Sequence, residues 1–273
     1  QIYFLRLDAN GAPIGSPVKV SFYGISETVD CWAPDLAYSG NGYCVTWYDF
    51  RNGNYDIFAT LLDNNGAVTY SDTPICTAAY DQYEPRIAWS SGIGRYQIVW
   101  YDERSGSKSE IYGSQISPSN AVFVNGLLVS GTSNSYSPVV ADMGYGLGLS
   151  WSDYRDGNNE IYFARLSATG NKISSDINIT NNGNLQIYSS IVWTGAEFGV
   201  FWQDYRTGNN DTWFQRVSSS GVLLGGNTQV TYSGEMRYPD AAFAKYGYLA
   251  TGTIYGYANY VSALGCNYDY SPP

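Results

Sequence analysis

Histidine is absent from the 273 residues of this chain. Histidine is the commonest general base and the commonest metal ligand in proteins. Its absence excludes a Ser-His-Asp or Cys-His mechanism within this chain alone. Charged residues are scarce too, at 14% of the sequence, against an average of about 25%. Much of the polar surface must therefore consist of hydroxyl and amide groups.

Positive charge is in particularly short supply. The chain has 14 Lys and Arg residues against 24 Asp and Glu residues, which gives a net charge of −10. A nucleic-acid binder needs a basic surface to neutralise phosphates, and an anionic membrane would repel this chain. No apolar stretch approaches the length of a transmembrane helix. We therefore expect neither a nucleic-acid partner nor membrane insertion.

Cysteines are few, and none of them form a C-x-x-C pattern. The four are Cys31, Cys44, Cys76 and Cys266. An even number in a chain rich in Tyr, Asn, Ser and Gly is typical of disulfides formed in an oxidising compartment. The alternative is four buried free thiols, and the spacing does not decide between the two. The sequence begins inside a strand pattern, so we expect a mature or excised segment.

The most regular feature of the sequence is the motif W-x-D-x-R-x-G-[NS]. It occurs four times, with tryptophans spaced by 53, 51 and 51 residues, at Trp47, Trp100, Trp151 and Trp202. A fixed period of about 50 residues indicates a stack or ring of similar units. Each unit continues into the next without a linker, so the sequence predicts a single domain over residues 1–273.

The third repeat shows what one unit contains. Residues 138–142 form a short apolar run, and residues 147–153 alternate with a period of two. Two further strand patterns follow at residues 160–166 and 175–180, and turn residues separate all four segments. Helical periodicity is absent throughout. The pattern predicts four short antiparallel strands in each repeat.

The two ends of the chain complement each other. Residues 1–21 match only the third and fourth strands of a repeat, whereas residues 238–273 supply a first strand, a second strand and a weak third. Four whole units and two partial ones predict an all-β fold, a β-propeller of five four-stranded blades. Strands from both termini would close the last blade, with residues 17–21 paired into it. The predicted whole blades are residues 33–82, 83–135, 136–187 and 188–237.

One ambiguity concerns the third strand of the last blade, because both ends offer one. The candidates are residues 2–7 and residues 259–264. Either one of them lies outside the blade, or the native protein continues beyond this segment.

The repeated motif has a structural interpretation. Its Asp lies at the end of the second strand, where a carboxylate can cap the N–H groups of a turn. Its Arg can bridge to that Asp or to the acid that opens the third strand, and its Gly fits a loop position with positive φ. The acids in question are Asp56, Glu110, Glu160 and Asp211. We interpret the motif as a staple that fixes each hairpin.

The competing interpretation is a ligand-binding face. In a propeller the motif loops and the connections between blades emerge on one side, and the connections carry aromatic residues, Tyr23, Trp32, Tyr80, Tyr83, Tyr136, Tyr188, Tyr232 and Tyr238. Aromatic rings beside Asp, Arg and Asn suit a sugar-binding surface. The candidate binding residues are Asp49, Arg51, Asp102, Arg104, Asp153, Arg155, Asp204, Arg206, Tyr136 and Tyr188. A device present in every repeat is more economically structural, so we favour the staple.

A family resemblance supports the same architecture. Residues 151–166, which read WSDYRDGNNEIYFARL, resemble the repeats of secreted bacterial β-propeller proteins and, more loosely, the Asp-box hairpins of sialidases. The resemblance covers residues 33–231. The Asp box reads S-x-D-x-G-x-x-W, so this chain departs from it in order and spacing. The resemblance implies a propeller in an extracellular setting and transfers no catalytic residue.

The sequence leaves three functions open. The first is a secreted or cell-surface binding or scaffold module whose partner is a glycan or another surface protein. The second is a glycan-active hydrolase that uses two of the inner-strand acids Asp35, Glu84, Asp142 and Asp240. The third is a structural repeat domain of a larger surface protein. We favour the first, and we expect that the four acids form no catalytic pair.

No cofactor is indicated by the sequence, and neither is a metal site. A calcium loop needs oxygen ligands at tight spacing, and the motif places Arg where such a loop needs an oxygen.

Overall fold

The computed structural model describes residues 1–22, 30–129, 133–232, 236–244, 247–254 and 257–265. Tyr23 and Cys266, which the sequence analysis singled out, lie outside these residues. The described residues form strands, turns and loops, which confirms the predicted all-β class. Within them, no helix is long and apolar enough to cross a membrane.

The strands number twenty-one in chain order. They are β1 (Tyr3–Leu7), β2 (Pro13–Lys19), β3 (Cys31–Tyr38), β4 (Gly42–Asp49), β5 (Asp56–Asp63), β6 (Val68–Cys76), β7 (Gln82–Ser90), β8 (Arg95–Asp102), β9 (Glu110–Ile116), β10 (Val122–Val129), β11 (Ser135–Asp142), β12 (Gly146–Asp153), β13 (Glu160–Ser167), β14 (Ile177–Asn178), β15 (Gln186–Trp193), β16 (Glu197–Asp204), β17 (Asp211–Ser218), β18 (Leu223–Gln229), β19 (Met236–Ala244), β20 (Gly247–Ile254) and β21 (Tyr257–Gly265).

Each motif repeat folds into one sheet. Four sheets have four strands each, β3–β6, β7–β10, β11–β14 and β15–β18, and consecutive strands are hydrogen-bonded neighbours in all of them. A fifth sheet contains β19, β20 and β21, and β1 pairs with β2 in a sheet of two strands. The short connections between strands explain this order, because turns of a few residues join antiparallel neighbours.

The chain divides into two compact units. The first contains Gln1–Leu147 and Leu166–Ile173, and the second contains Gly148–Arg165 and Ser174–Pro273. In the first unit a core cluster includes Ile57, Ile98 and Trp100. In the second unit a smaller cluster includes Phe201 and Tyr248. Large aromatic and branched side chains supply most of the buried area in both.

The N-terminal hairpin packs on the first motif sheet. Ile2 and Phe4 belong to a buried cluster with Trp47, and the Thr60 hydroxyl donates a hydrogen bond of 2.7 Å to the carbonyl oxygen of Val20. The predicted pairing of residues 17–21 into the last sheet is not seen among the described residues, where β2 pairs with β1. Both edges of β20 are occupied, by β19 and β21, so the third strand of the last sheet comes from residues 257–265 and not from residues 2–7.

The first strand of each larger sheet has an irregular backbone at one equivalent residue. These residues have positive φ although none is glycine, and we call them the left-handed positions: Ala33 (φ 45°), Glu84 (49°), Ser137 (50°), Tyr188 (55°) and Tyr238 (51°). The strand register shifts beside this residue in β3, β7, β15 and β19. Such a shift is a β-bulge, which bends the strand and redirects its side chains.

Close packing inside the second unit explains a glycine in the middle of β16. A Cβ atom added at Gly199 would overlap the ring of Tyr248, and that ring is fully buried against Phe201 and Phe214. Glycine therefore allows the aromatic ring to approach the strand backbone.

We predict that Gly199→Ala lowers the free energy of unfolding by about 1–3 kcal/mol, because the buried Tyr248 ring must move to make room. Thermal unfolding followed by circular dichroism measures the change. Gly183→Ala is the matched control, since an added Cβ there meets nothing within 4 Å. Equal melting temperatures for the two variants would contradict the packing argument.

Candidate functional site

The motif Asp is fully buried in all four repeats and accepts several hydrogen bonds. In the third repeat the Trp151 indole donates to Asp153 Oδ2 at 2.8 Å, and Arg155 donates from Nε to Oδ1 at 2.8 Å. The backbone N–H of Arg155 donates to the same Oδ1 at 3.0 Å, so the carboxylate also caps the turn. The same three kinds of bond occur at Asp49, Asp102 and Asp204.

The motif Arg makes further contacts that leave it little freedom. Its guanidinium lies over an aromatic ring of the third strand, 3.8–4.4 Å from the ring centroid, at Phe58, Tyr112, Tyr162 and Trp213. Arg51 and Arg155 each pair with a second carboxylate, Asp72 and Asp176, at 2.9 Å. The hydrogen bonds to Asp153 raise the pKa of Arg155. These contacts account for the motif as a structural staple.

Two repeats give the motif Arg a different second partner. Arg104 donates to the sulfur of Cys76 at 3.0 Å, and Arg206 donates to Asn227 Oδ1 at 3.3 Å. The acids that open the third strands are bound by side chains of their own loops. Asn54 donates to Asp56, for example, and Asn158 donates to Glu160.

The inner-strand acids are used to join neighbouring strands. Asp35 Oδ2 accepts from the backbone N–H of Ile87 at 2.9 Å. Asp142 accepts from the Ser91 hydroxyl at 2.5 Å. Asp240 accepts from the Ser190 hydroxyl at 3.1 Å. The fourth acid, Glu84, accepts from the Ser137 hydroxyl at 2.9 Å through Oε2.

Glu84 differs from the other three acids because it lies beside a group of tyrosines. The rings of Tyr48, Tyr55 and Tyr83 contact one another with centroids 5.3–5.5 Å apart, and Tyr101 stacks on Tyr83 at 5.2 Å. We call these four residues the tyrosine cluster. All four lie at the end of the first two motif sheets where the motif loops emerge, and each is partly exposed.

Two further carboxylates border the tyrosine cluster. Asp81 accepts from the Tyr83 phenol at 2.9 Å. Glu103 accepts from the Ser109 hydroxyl at 3.3 Å. Within the described residues, the only hydrogen bond to the Glu84 carboxylate reaches Oε2, and the only one to the Glu103 carboxylate reaches Oε1. Neither acid forms an ion pair in the described part of the chain.

The acids around the cluster change the titration of its phenols. Burial, followed by the charge of Glu84, raises the pKa of Tyr48 and of Tyr101. Burial, followed by the hydrogen bond to Asp81, raises the pKa of Tyr83. The charge of Glu103 acts in the same direction on Tyr83 and Tyr101. Both Glu84 and Glu103 therefore lie close enough to Tyr101 to act on its phenol.

An open cavity of about 290 Å³ lies next to the cluster. Its lining residues are Tyr80, Glu103, Gly106, Ser107, Lys108, Ser109 and Asn134. The Tyr80 side chain is 60% exposed. Its carbonyl oxygen accepts hydrogen bonds from the side chains of Asn54 and Gln82, at 2.6 and 2.8 Å. Glu103 lines the cavity, and its backbone N–H donates to Asp81, the acid that binds the Tyr83 phenol, so we treat the cavity and the tyrosine cluster as one candidate site.

The tyrosines predicted from the sequence take different places. Tyr136 is partly buried and directly precedes Ser137 in β11. In the second unit the rings of Tyr188 and Tyr238 lie 4.6 Å apart. Tyr48 and Tyr101 were not among the residues predicted from the sequence, although the sequence contains a signal for them. The middle position of W-x-D is Tyr in the first two repeats and Ser or Gln in the others.

Cys44 and Cys76 are free thiols in the structure, and no disulfide joins Cys31 to either of them. Burial raises the pKa of Cys44 well above its usual range. The disulfides favoured by the even cysteine count are therefore not formed among these three, and Cys266 lies outside the described residues. The alternative of buried thiols fits Cys44, which is fully buried.

We predict that Asp153→Ala lowers the free energy of unfolding by about 3–5 kcal/mol, because Arg155 and the Trp151 indole lose a shared buried acceptor. Chemical denaturation measures the loss. In the double variant Asp153→Ala/Arg155→Ala the loss should be smaller than the sum of the single losses. Additive losses would show that the two side chains do not act as a unit.

We predict that the phenols of Tyr48, Tyr83 and Tyr101 have pKa values in the folded protein above the usual value for tyrosine. A phenol whose pKa is raised by folding contributes stability that is fully present below its pKa in the unfolded chain, about 10. That contribution is lost as the pH rises through the pKa of the phenol in the folded protein. NMR of ¹³Cζ-labelled tyrosine follows each phenol.

Two variants separate the acids in this titration. Glu84→Gln should lower the pKa of Tyr48 and Tyr101, whereas Glu103→Gln should lower those of Tyr83 and Tyr101 and leave Tyr48 unchanged. Identical titration curves for the two variants would show that the acids do not flank the cluster as described.

The fold resembles that of known proteins, although the sequence does not match them. No protein-family model matches the sequence, and no curated protein matches it either. Solved structures do match. An α-L-arabinofuranosidase from Lactobacillus brevis has a TM-score of 0.54 at 9% identity, over 86% of this chain and 90% of that one. The catalytic domain of a GH62 α-L-arabinofuranosidase from Coprinopsis cinerea gives 0.53 at 11%, over 89% and 94%.

A third similar structure is an exo-β-1,3-galactanase from Phanerochaete chrysosporium. Its TM-score is 0.56 at 12% identity, and the match covers 92% of this chain and 60% of that chain. At such low identity the likeness concerns the fold alone. This chain has the all-β fold found in these glycoside hydrolases.

Proposed function

We propose that this protein is a glycan-active hydrolase, built as a five-bladed β-propeller, whose site is the tyrosine cluster with its cavity. One observation carries the proposal. Glu84 directly follows Tyr83 in the chain, and the backbone N–H of Glu103 donates to the carbonyl oxygen of Asp81 at 2.9 Å, so both acids lie beside the tyrosine cluster. Two carboxylates beside a sugar-binding surface are what glycoside hydrolysis requires.

The rest of the site suits a sugar. Partly exposed tyrosine rings offer apolar faces to the C–H groups of a sugar, and the serine and asparagine side chains around the cavity can bond its hydroxyls. A cavity of about 290 Å³ is small, which fits one sugar residue better than a longer segment. The net charge of −10 and the three acids at the site favour neutral glycans over acidic ones.

The chemistry needs only water and the two carboxyl groups. One of them, protonated, would donate its proton to the glycosidic oxygen as the bond to the sugar carbon breaks. The other, ionised, would take a proton from the water that attacks that carbon. Water supplies a hydroxyl to one product and, through the acids, a proton to the other.

Support also comes from the structural comparison. Arabinofuranosidases and a galactanase share the fold, and the hydrolase proposal extends their carbohydrate chemistry to this chain. The proposal includes a secreted or cell-surface location and a kinship with secreted bacterial propeller repeats. It also keeps closure of the last blade as a prediction.

A binding module without turnover is the second candidate function. It is favoured by the way in which Asp35, Asp142 and Asp240 are committed to bonds between strands. In that case the tyrosine cluster would hold a glycan, and Glu84 would accept hydrogen bonds from its hydroxyls.

The test is hydrolysis of a panel of neutral substrates, which includes aryl α-L-arabinofuranosides and β-1,3-galactotriose. We expect turnover by the wild type and a loss of at least about 100-fold in kcat for Glu84→Gln and for Glu103→Gln, because each removes a proton-transfer group. Asp142→Asn is the matched control and should retain activity.

Two results would contradict the hydrolase. One is the absence of turnover on every substrate together with glycan binding on an array, which would favour the binding module. The other is turnover that survives in both Gln variants, which would place the chemistry elsewhere.

A further inference from the structure

The backbone is strained at each of the five left-handed positions. Positive φ disfavours residues with a Cβ atom, and glycine removes the penalty. The chain uses glycine freely for this purpose, at sixteen positive-φ positions among the described residues. Yet none of the five left-handed positions is glycine. A side chain is therefore retained at each of them against the preference of the backbone.

The residue that follows the left-handed position is proline in four of the five strands, whereas the occupant of the position changes. The next residue is Pro34, Pro85, Pro138, Ser189 or Pro239. The position itself holds Ala, Glu, Ser, Tyr and Tyr in chain order. A scaffold that is kept while one position varies in chemistry is what a set of ligand-contacting residues would show. Glu84, the acid of the proposed site, occupies one of these positions.

Within each unit, residues at the left-handed positions of neighbouring first strands contact each other. In the first unit the Ser137 hydroxyl donates to Glu84 Oε2 at 2.9 Å. In the second unit the rings of Tyr188 and Tyr238 lie 4.6 Å apart and are tilted by 47°. Tyr238 is 56% exposed and Tyr188 is half-buried, so the apolar surface that reaches solvent belongs mainly to Tyr238.

We propose that Tyr188 and Tyr238 form a glycan-binding subsite of the second unit, where a neutral sugar ring stacks on the tyrosines. The inference rests on the proposed glycan activity and extends it to a second set of residues. A tilted pair of rings offers apolar faces to the C–H groups of a sugar. An exposed ring gains little from packing, so binding explains its strained backbone better than folding does.

The opposing effects of strain and binding allow a sharp test. Tyr238→Gly removes the ring and also relieves the backbone strain. If the ring binds sugar, this variant should melt at the wild-type temperature or higher while its affinity falls at least about fivefold. Tyr238→Phe keeps the aromatic face and should bind within about twofold of the wild type. Ala33→Gly is the matched control, since it relieves the same strain at a position without a functional group.

Affinity is measured by isothermal titration with β-1,3-galactotriose and an arabinotriose on full-length protein. The inference is supported if Tyr238→Gly weakens binding or raises KM without a loss of melting temperature, while Ala33→Gly changes only the melting temperature. It is overturned if Tyr238→Gly binds as the wild type does, or if its melting temperature falls sharply, which would mark a structural ring.

The two proposals can fail separately. Turnover that depends on Glu84 but not on Tyr238 would overturn the second subsite and leave the hydrolase. Binding that depends on Tyr238 without any turnover would overturn the hydrolase and leave the subsite. A wild-type protein that neither binds nor cleaves either probe overturns both.

Discussion

The buried carboxylate of the motif is the constraint on which the rest of the structure depends. In each repeat one Asp holds the indole of the second strand, the guanidinium of the loop and a backbone N–H of the turn. Burying a lone carboxylate would be prohibitively unfavourable, so the surrounding donors must be present together. These shared hydrogen bonds therefore hold the hairpin between the second and third strands as one unit. The guanidinium of its Arg lies over an aromatic ring of the third strand.

This arrangement separates the roles of adjacent residues. Trp and Asp point inward and hold the sheet, while the residue between them points to the other face because side chains alternate along a strand. That residue is Tyr48 in the first repeat and Tyr101 in the second, and both belong to the tyrosine cluster. The same strand end therefore supplies rigidity from one face and part of the proposed site from the other, which suits a site that must hold its geometry.

Much of the fold could be predicted from the sequence because its signals are local. The period of the motif, strand alternation and turn residues were sufficient for the all-β class and for four-stranded repeats. The last sheet was harder. Residues 2–7 and 259–264 compete for one edge, and local pattern does not rank them, whereas the structure gives that edge to β21. The site was harder still. The tyrosine cluster forms through contacts between residues distant in the chain, such as Tyr48 with Tyr83, and the left-handed positions depend on a register shift that strand alternation does not predict.

Within W-x-D, the Trp and Asp stabilise the repeat and the middle residue does not, which has an evolutionary consequence. A repeat that carries its own staple can be duplicated without new compensating changes, because the residues that stabilise it travel with it. The middle residue of the triplet is then free to diverge in each copy, as Tyr, Tyr, Ser and Gln have done here. Gene duplication in this chain would thus multiply a stable frame first, and chemical diversity could accumulate afterwards, one copy at a time.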